Sequence, residues 1–278
     1  MARRRAKDNA EADWARKVRF ERDLRRTLGA LDAEIAREFE RVYRDRGIII
    51  AAERIEPATA TVLAEHRKAV ARAFSTRLRA LMPGANAITD TENAIISVVL
   101  SEYMDNEARL QAARITSTTL KNMSKAIEVV GAEAAAAGEV LTQAERAKRA
   151  GGLLRRNLKG RAVNIAILET QQAAEAAKLT EAEVLIGREP TVRGGTGEPA
   201  PLGKRWDSQG DSIVRPSHLS ADSQEVNLEE PFIVGGFQLM YPGDGSLGAP
   251  LSEIAGCRCS ARYDADEIAE VREGAIAA

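Results

Sequence analysis

The chain has 278 residues, 44% of them hydrophobic but only 4% aromatic, with 40 Lys and Arg set against 41 Asp and Glu. Such a balance creates no global field toward nucleic acid or membrane, and an aromatic-poor, heavily charged composition suits long helices with narrow apolar seams better than a sandwich or barrel. No apolar run approaches the roughly 20 residues needed to span a bilayer, the Arg-rich start lacks the apolar stretch of a secretory signal, and two Cys separated by one residue make no disulfide framework, so the chain reads as made in a reducing cytoplasm.

The first predicted helix runs from about Asn9 to Arg46. Trp14, Val18, Leu24, Leu28, Leu31, Ile35, Phe39 and Val42 recur at spacings of mostly three and four, which places them on one face. From Leu24 the pattern is nearly heptad, suiting a helical hairpin or partner-helix seam. Gly47 is a stop. Pro57 fits the first turn of a second helix, with Val62, His66, Val70, Ala73, Arg77 and Leu81 on one side and Pro83-Gly84 at its end. His66 falls on that buried-looking side and is expected as a satisfied core histidine.

Thr89 with Glu92 forms a capping-box pattern opening a third helix, for which Gly131 and Gly138 are possible breaks. A second such pattern, Thr142 with Glu145, opens a basic helix carrying Arg146, Lys148, Arg149, Arg155, Arg156, Lys159 and Arg161. Gly151-Gly152 and Gly160 weaken it by about 1 kcal/mol each relative to Ala. From Arg161 the pattern is strongly helical to about Lys178, and a last short helix ends near Gly187.

Beyond this point the period changes. The Gly- and Pro-rich stretch Arg188–Lys204 reads as a linker or exposed loop. Ser212–Val214, Glu225–Leu228, Phe232–Val234, Gln238–Tyr241 and Arg258–Tyr263 read as short strands between turn residues. The expected fold class is therefore α+β. A mostly helical region of long helices, 1–187, precedes a linker at 188–204 and a small β-rich, loop-rich module at 205–278. No fixed-period internal repeat is present.

The uncommon residues concentrate in that module. His218 is one of two His in the chain, and Cys257 and Cys259 are its two Cys. Thiolate and imidazole are the ligands zinc prefers, and a small loop-rich module is what a structural zinc staples. C-x-C is not the usual C-x2-C spacing, and a fourth ligand would have to come from Asp211 or Asp244. The plainer reading is that the thiols pack as small buried groups while His218 bonds a carbonyl. A Cys–His nucleophilic pair, with His218 as base, is a further option, but no oxyanion-hole motif accompanies it. Gly194-Gly195 and Gly235-Gly236 match no phosphate-loop pattern.

The local charge is uneven. Arg3, Arg4, Arg5, Lys7, Arg16, Lys17, Arg19, Arg22, Arg25 and Arg26 make the start basic, and the stretch from Asp222 onward is acidic. Arg3, Arg4, Arg5 and Lys7, with Arg146, Arg149, Arg155 and Arg156, are candidate contacts to double-stranded DNA phosphates. The alternative is a solvated helix face with i,i+4 partners. No aromatics interleave with these residues, which argues against single-strand stacking.

In order and approximate spacing, the module resembles the phage Mu protein F-like family of minor head, or head-morphogenesis, proteins. The matching pieces are Lys204-Arg205-Trp206, Asp211, Val214-Arg215-Pro216-Ser217-His218, Pro231-Phe232, Gly235-Gly236, Met240-Tyr241-Pro242-Gly243-Asp244 and Cys257-Arg258-Cys259. Upstream, Arg161, Ile165-Ala166 and Glu169-Thr170 resemble the family's helical signature. The likeness covers about Arg161 to Tyr263. It departs in the segment preceding Cys257, which lacks the expected Asn, and in a long linker.

The resemblance implies a non-enzymatic tailed-phage or prophage virion component made in the bacterial cytoplasm. Such a protein is carried inside the head and associates with the portal and other head proteins. Absence of a toxin-like domain after Cys259 argues for a plain structural component. The family motif residues here are Trp206, Asp211, Arg215, His218, Tyr241, Gly243, Asp244, Cys257, Arg258 and Cys259. No cofactor beyond the candidate zinc is expected, and no membrane partner. The alternatives are a metal- or thiol-dependent enzyme built on His218, Cys257 and Cys259, and a non-specific helical DNA-binding protein.

Overall fold

A computed structural model describes the backbone of residues 2–81, 89–186 and 203–263; the side chains of residues 2–11, 81, 92, 185 and 186 lie outside the description. The fold is α+β. Four long helices, α1 (Ala2–Arg46), α2 (Glu56–Leu81), α3 (Asp90–Ala136) and α4 (Gln143–Ile186), precede a module with β1 (Gly203–Asp207), α5 (Pro216–Ser220), β2 (Glu225–Asn227), β3 (Phe232–Val234), β4 (Phe237–Leu239), α6 (Leu251–Ile254) and β5 (Ser260–Tyr263). Among the described residues no helix is long and apolar enough to cross a membrane.

The helix boundaries follow local chemistry. α1 stops where Gly47, at φ 68°, returns its N–H to the Tyr43 carbonyl. α3 runs through Gly131 and ends at Gly138, where Gly138 N–H bonds Ala135 and Glu139 N–H bonds Ala134, a pattern that needs the left-handed glycine. The Thr142–Glu145 box forms as expected: Glu145 N–H donates to Thr142 Oγ1 at 3.2 Å, and Thr142 N–H to Glu145 Oε2 at 2.9 Å.

Two helix expectations need correction. α4 is one uninterrupted helix to Ile186, so no separate short helix follows Lys178. A Cβ at Gly151 would meet Glu40 Oε2 at 2.9 Å and Glu40 Cβ at 3.1 Å, so a larger residue there would have to push the Glu40 side chain aside. His66 is half-buried and edge-on to Phe20 at 6.1 Å, while the residue beside it, Arg67, is fully buried.

The chain divides into two compact units built from segments of the same helices. One comprises Arg19–His66 and Met104–Ala166; the other comprises Met1–Val18, Arg67–Tyr103 and Ile167–Ala278. The linker expected at 188–204 falls on residues outside the description up to 202, and its last two residues, Gly203 and Lys204, already belong to β1.

The first unit is a helical bundle. Ile35, Phe39, Val42, Met123, Val130, Leu154 and Leu158 fill one core, and Leu24, Leu28, Leu63 and four small Ala fill a second. The seam read from α1 is thus an intramolecular one. Arg161 ties it with bonds to Asp32 (2.9 Å) and Thr119 Oγ1 (2.8 Å). Burial raises the Asp32 pKa against the opposing pull of Arg161.

In the second unit the module forms an antiparallel sheet of order β2-β1-β5 and a separate β3-β4 hairpin. Gly235 and Gly236 both take positive φ, as a two-residue hairpin turn requires. The stretch expected as a strand at Ser212–Val214 is a turn, because Asp211 accepts the Ile213 N–H on its carboxylate and the Val214 N–H on its carbonyl. β1 and the short helices α5 and α6 were not anticipated.

Candidate functional site

Trp206 is the anchor of the module. It lies on β1 and is fully buried, with His218 at 5.5 Å and Phe232 at 5.3 Å, both edge-to-face. Pro216 starts α5 and sets His218 on its inner side, 1% exposed. Its Nε2 lies 3.0 Å from the Glu253 carbonyl and 3.2 Å from Glu253 Oε2, both acceptors, so this nitrogen carries a proton. Nδ1 then faces Cys257 Sγ and Cys259 Sγ, each at 3.5 Å. The thiols are 3% and 1% exposed and form no disulfide.

The three titrations are linked. Burial disfavours the charged imidazole, but the hydrogen bond and charge of Cys257 outweigh it and raise the His218 pKa. The Cys259 thiol and His218 lower that of Cys257, and Cys259 is pushed up in return. A thiolate nucleophile has to meet its substrate, and both sulfurs are enclosed. The arrangement as folded therefore suits a structural role better than a catalytic one.

Each remaining motif residue has a structural task. Arg215 bonds the carbonyls of Glu253 (3.2 Å) and Ala255 and holds the α6 segment against α5. Arg258 bonds Asp211 at 2.6 Å and lies over the Trp14 ring at 5.7 Å. The hydrogen bond from Arg258 holds the Asp211 carboxyl below its usual range. Asp244 accepts Met240 N–H (2.8 Å), Ser246 N–H (2.8 Å) and Ser246 Oγ (3.0 Å). Both aspartates are therefore committed elsewhere, and neither joins the His218–Cys257–Cys259 group as the expected fourth ligand.

Helix α4 reads the module through polar side chains that sequence reasoning missed. Gln171 Nε2 donates to the carbonyls of Pro242 (3.1 Å) and Cys259 (2.7 Å), and Gln172 Nε2 to that of Gly243 (3.0 Å). Gly243 has φ 90°, and a Cβ there would meet Gln171 Cγ at 2.9 Å, so conformation and contact both demand glycine. Tyr241 and Tyr103 share a hydroxyl hydrogen bond of 2.7 Å.

Glu175 sits at the centre of this contact and is fully buried. It accepts Lys17 Nζ (2.7 Å), Ser260 Oγ (3.1 Å), Ala261 N–H (2.8 Å) and Lys178 Nζ (2.9 Å). Burial alone would raise its pKa, but Lys17 and Lys178 outweigh burial and bring it below the usual range. Nearly two helical turns earlier, Glu169 accepts Arg67 Nε at 2.5 Å. The available signal was the three- and four-residue spacing of Gln171, Glu175 and Lys178 within an Ala-rich stretch, but polar residues at that spacing ordinarily mark a solvent face.

Lys204 is also enclosed. Its Nζ donates to the Met240 carbonyl at 2.7 Å and lies 5.3 Å from the Phe232 ring. Burial lowers its pKa from 10.5 to about 8, against the opposing carboxylates of Glu183, Asp244 and Glu230. The unfolded chain therefore holds this proton at pH values where the folded one has released it, and stability rises as pH climbs from about 8 to 10.5. Chemical denaturation across this range should show the rise in the native chain and a flatter profile in Lys204→Met.

Of the candidate DNA contacts, Arg3, Arg4, Arg5 and Lys7 lie in α1 with side chains outside the description. Arg149 pairs with Glu139 at 2.7 Å and Arg155 with Glu40 at 3.1 Å; Arg146 is half-buried and Arg156 exposed. Folding brings two basic stretches together, since Arg22, Arg25 and Arg26 line a cleft of about 500 Å3 with Arg155, Lys159 and Asp32. Nothing in the linear sequence pairs them.

Compared with protein-family models, with curated proteins and with solved structures, the chain matches none.

Proposed function

We propose that this protein is a minor head component of a tailed phage or prophage, carried inside the capsid and bound to the portal. One observation carries the reading. Residues that resemble the Mu F-like pattern, scattered from Trp206 to Cys259, interlock in one module. Trp206 packs on His218, His218 faces both thiols, and Arg215 holds the segment that leads to them. Just beyond Glu169-Thr170 on α4, Gln171 donates to the Cys259 carbonyl and so reaches the same module. A motif whose members depend on one another physically is the kind that defines a family by its fold rather than by a reaction.

The basic cleft at Arg22, Arg25, Arg26, Arg155 and Lys159 supports contact with the packaged genome. Phosphate contacts of this kind release counterions, so any affinity for duplex DNA falls steeply with salt. Co-expression with a tailed-phage portal protein, followed by pull-down and by fractionation of purified particles, tests the proposal. Retention on the portal and recovery inside DNA-filled heads are the expected results. Absence from particles together with failure to bind the portal would remove it.

A further inference from the structure

We infer that His218, Cys257 and Cys259 form a zinc site that staples the C-terminal module. Four observations on these residues converge. First, the three donor atoms lie within 4.8 Å of one another and all three residues are buried. Second, Nδ1 stands 3.5 Å from each sulfur. A tetrahedral zinc with the usual Zn–S and Zn–N bonds has an S-to-N edge of about 3.5 Å. A single proton on Nδ1, or a single lone pair, points in one direction and does not account for two sulfurs at equal distance.

Third, the far side of the imidazole is already arranged for a metal. Nε2 is held by the Glu253 carbonyl and carboxylate, and Ser217 Oγ bonds the same carboxylate at 3.0 Å. This is the carboxylate–histidine arrangement that fixes the ring and leaves the other nitrogen's lone pair for an ion. Fourth, the Trp206 indole N–H is buried with no oxygen or nitrogen acceptor and borders Cys259. An N–H donor beside a metal-bound thiolate is satisfied; beside a neutral thiol it is poorly so.

The charge balance agrees with burial. Zn2+ and two thiolates sum to zero with a neutral imidazole, so the centre brings no net charge into the interior. The metal-free group of two Cys and one His carries two protons more than two thiolates and a neutral imidazole, so binding forms two Zn–S bonds and one Zn–N bond and releases two protons to solvent, which makes affinity rise with pH. Zinc suits the set because sulfur and imidazole donors favour it over the harder oxygen-seeking divalent ions. The described residues supply three of the four donors of the tetrahedron. The module needs such a staple, since its strands are three to five residues long.

The test uses the full chain, free of any affinity tag, purified without chelator. Elemental analysis should give one zinc per chain, falling to background in Cys257→Ser/Cys259→Ser. Replacement of zinc by Co2+ should give a thiolate-to-cobalt charge-transfer band with the visible absorption of a tetrahedral site. Should the variant fail to fold, the native chain's cobalt spectrum decides alone. Chelator should raise the rate of thiol alkylation at least tenfold. Zinc at background in the native chain, with no thiolate charge transfer on adding Co2+, would overturn the inference in favour of a metal-free thiolate–imidazolium pair. None of these readouts depends on portal binding, so this inference and the proposed function fail separately.

Discussion

Glu175→Gln is expected to destabilise the protein by about 3–5 kcal/mol, the scale for breaking a buried ion pair from one side. The substitution preserves shape and removes the charge. Lys17 and Lys178, both nearly excluded from water, then lose the carboxylate that lies between them. The Ala261 N–H and Ser260 hydroxyl also lose a charged acceptor. A urea midpoint shifted down with an unchanged slope would carry the result. Adding Lys17→Met to Glu175→Gln should recover part of the loss, because the excess buried charge is then reduced. A shift below about 1 kcal/mol for the single change would mean that the two ammonium groups find water, and that the network is not sealed.

The same group sets an acid limit. Its folded pKa lies below the ordinary 4.5, so its contribution is fully present above that pH. The contribution is lost as pH falls through the folded value, and acid unfolding should begin there. In Glu175→Gln that portion of the acid transition should disappear.

Trp206→Ala carries the second large effect, again about 3–5 kcal/mol, as large-to-small changes in closed cores do. Here the loss is not only of area. Trp206 is the shared wall of His218 and Phe232, and its carbonyl and N–H take part in the β1 pairing with the Gln224 region. Trp206→Phe keeps an aromatic edge at the site and should cost roughly half as much. Hydrogen exchange would locate the damage: amides of β1, β5 and α5 should lose protection, while the bundle of Arg19–His66 and Met104–Ala166 should keep it. Equal loss of protection in both units would mean that Trp206 supports the whole chain and not the module alone.

The long helices were legible because their signals are local. The seam of α1 repeats every three or four residues, Gly47 and Gly138 stop helices by a backbone conformation that only they adopt cheaply, and the Thr142–Glu145 box closes over a single turn. The place of Gly151 against Glu40 was not legible, because that partner lies far away in the sequence. In the module, β3 was read to the residue from its own Phe-Ile-Val run, whereas β1 was hidden behind a Gly- and Pro-rich approach. Its strand character comes from β2 and β5 on either side, neither of them its neighbour in the chain.

The amino-acid order by itself determined the α+β division, the course of the helices and the small set of rare residues worth watching. It also singled out His218, Cys257 and Cys259 as a group, since few other residues here offer soft donors. Tertiary structure alone decided that Asp211 and Asp244 stand apart from that group, and that Glu253 completes the histidine's outer side. It also decided that Lys17, Arg67, Glu169, Gln171, Glu175 and Lys178 are interior. The physical reason is that hydrophobic periodicity reports which side of a helix faces inward when the inward side is apolar. A buried polar side chain is stable only through its partners, most of them here many dozens of residues away, and no local pattern carries their addresses.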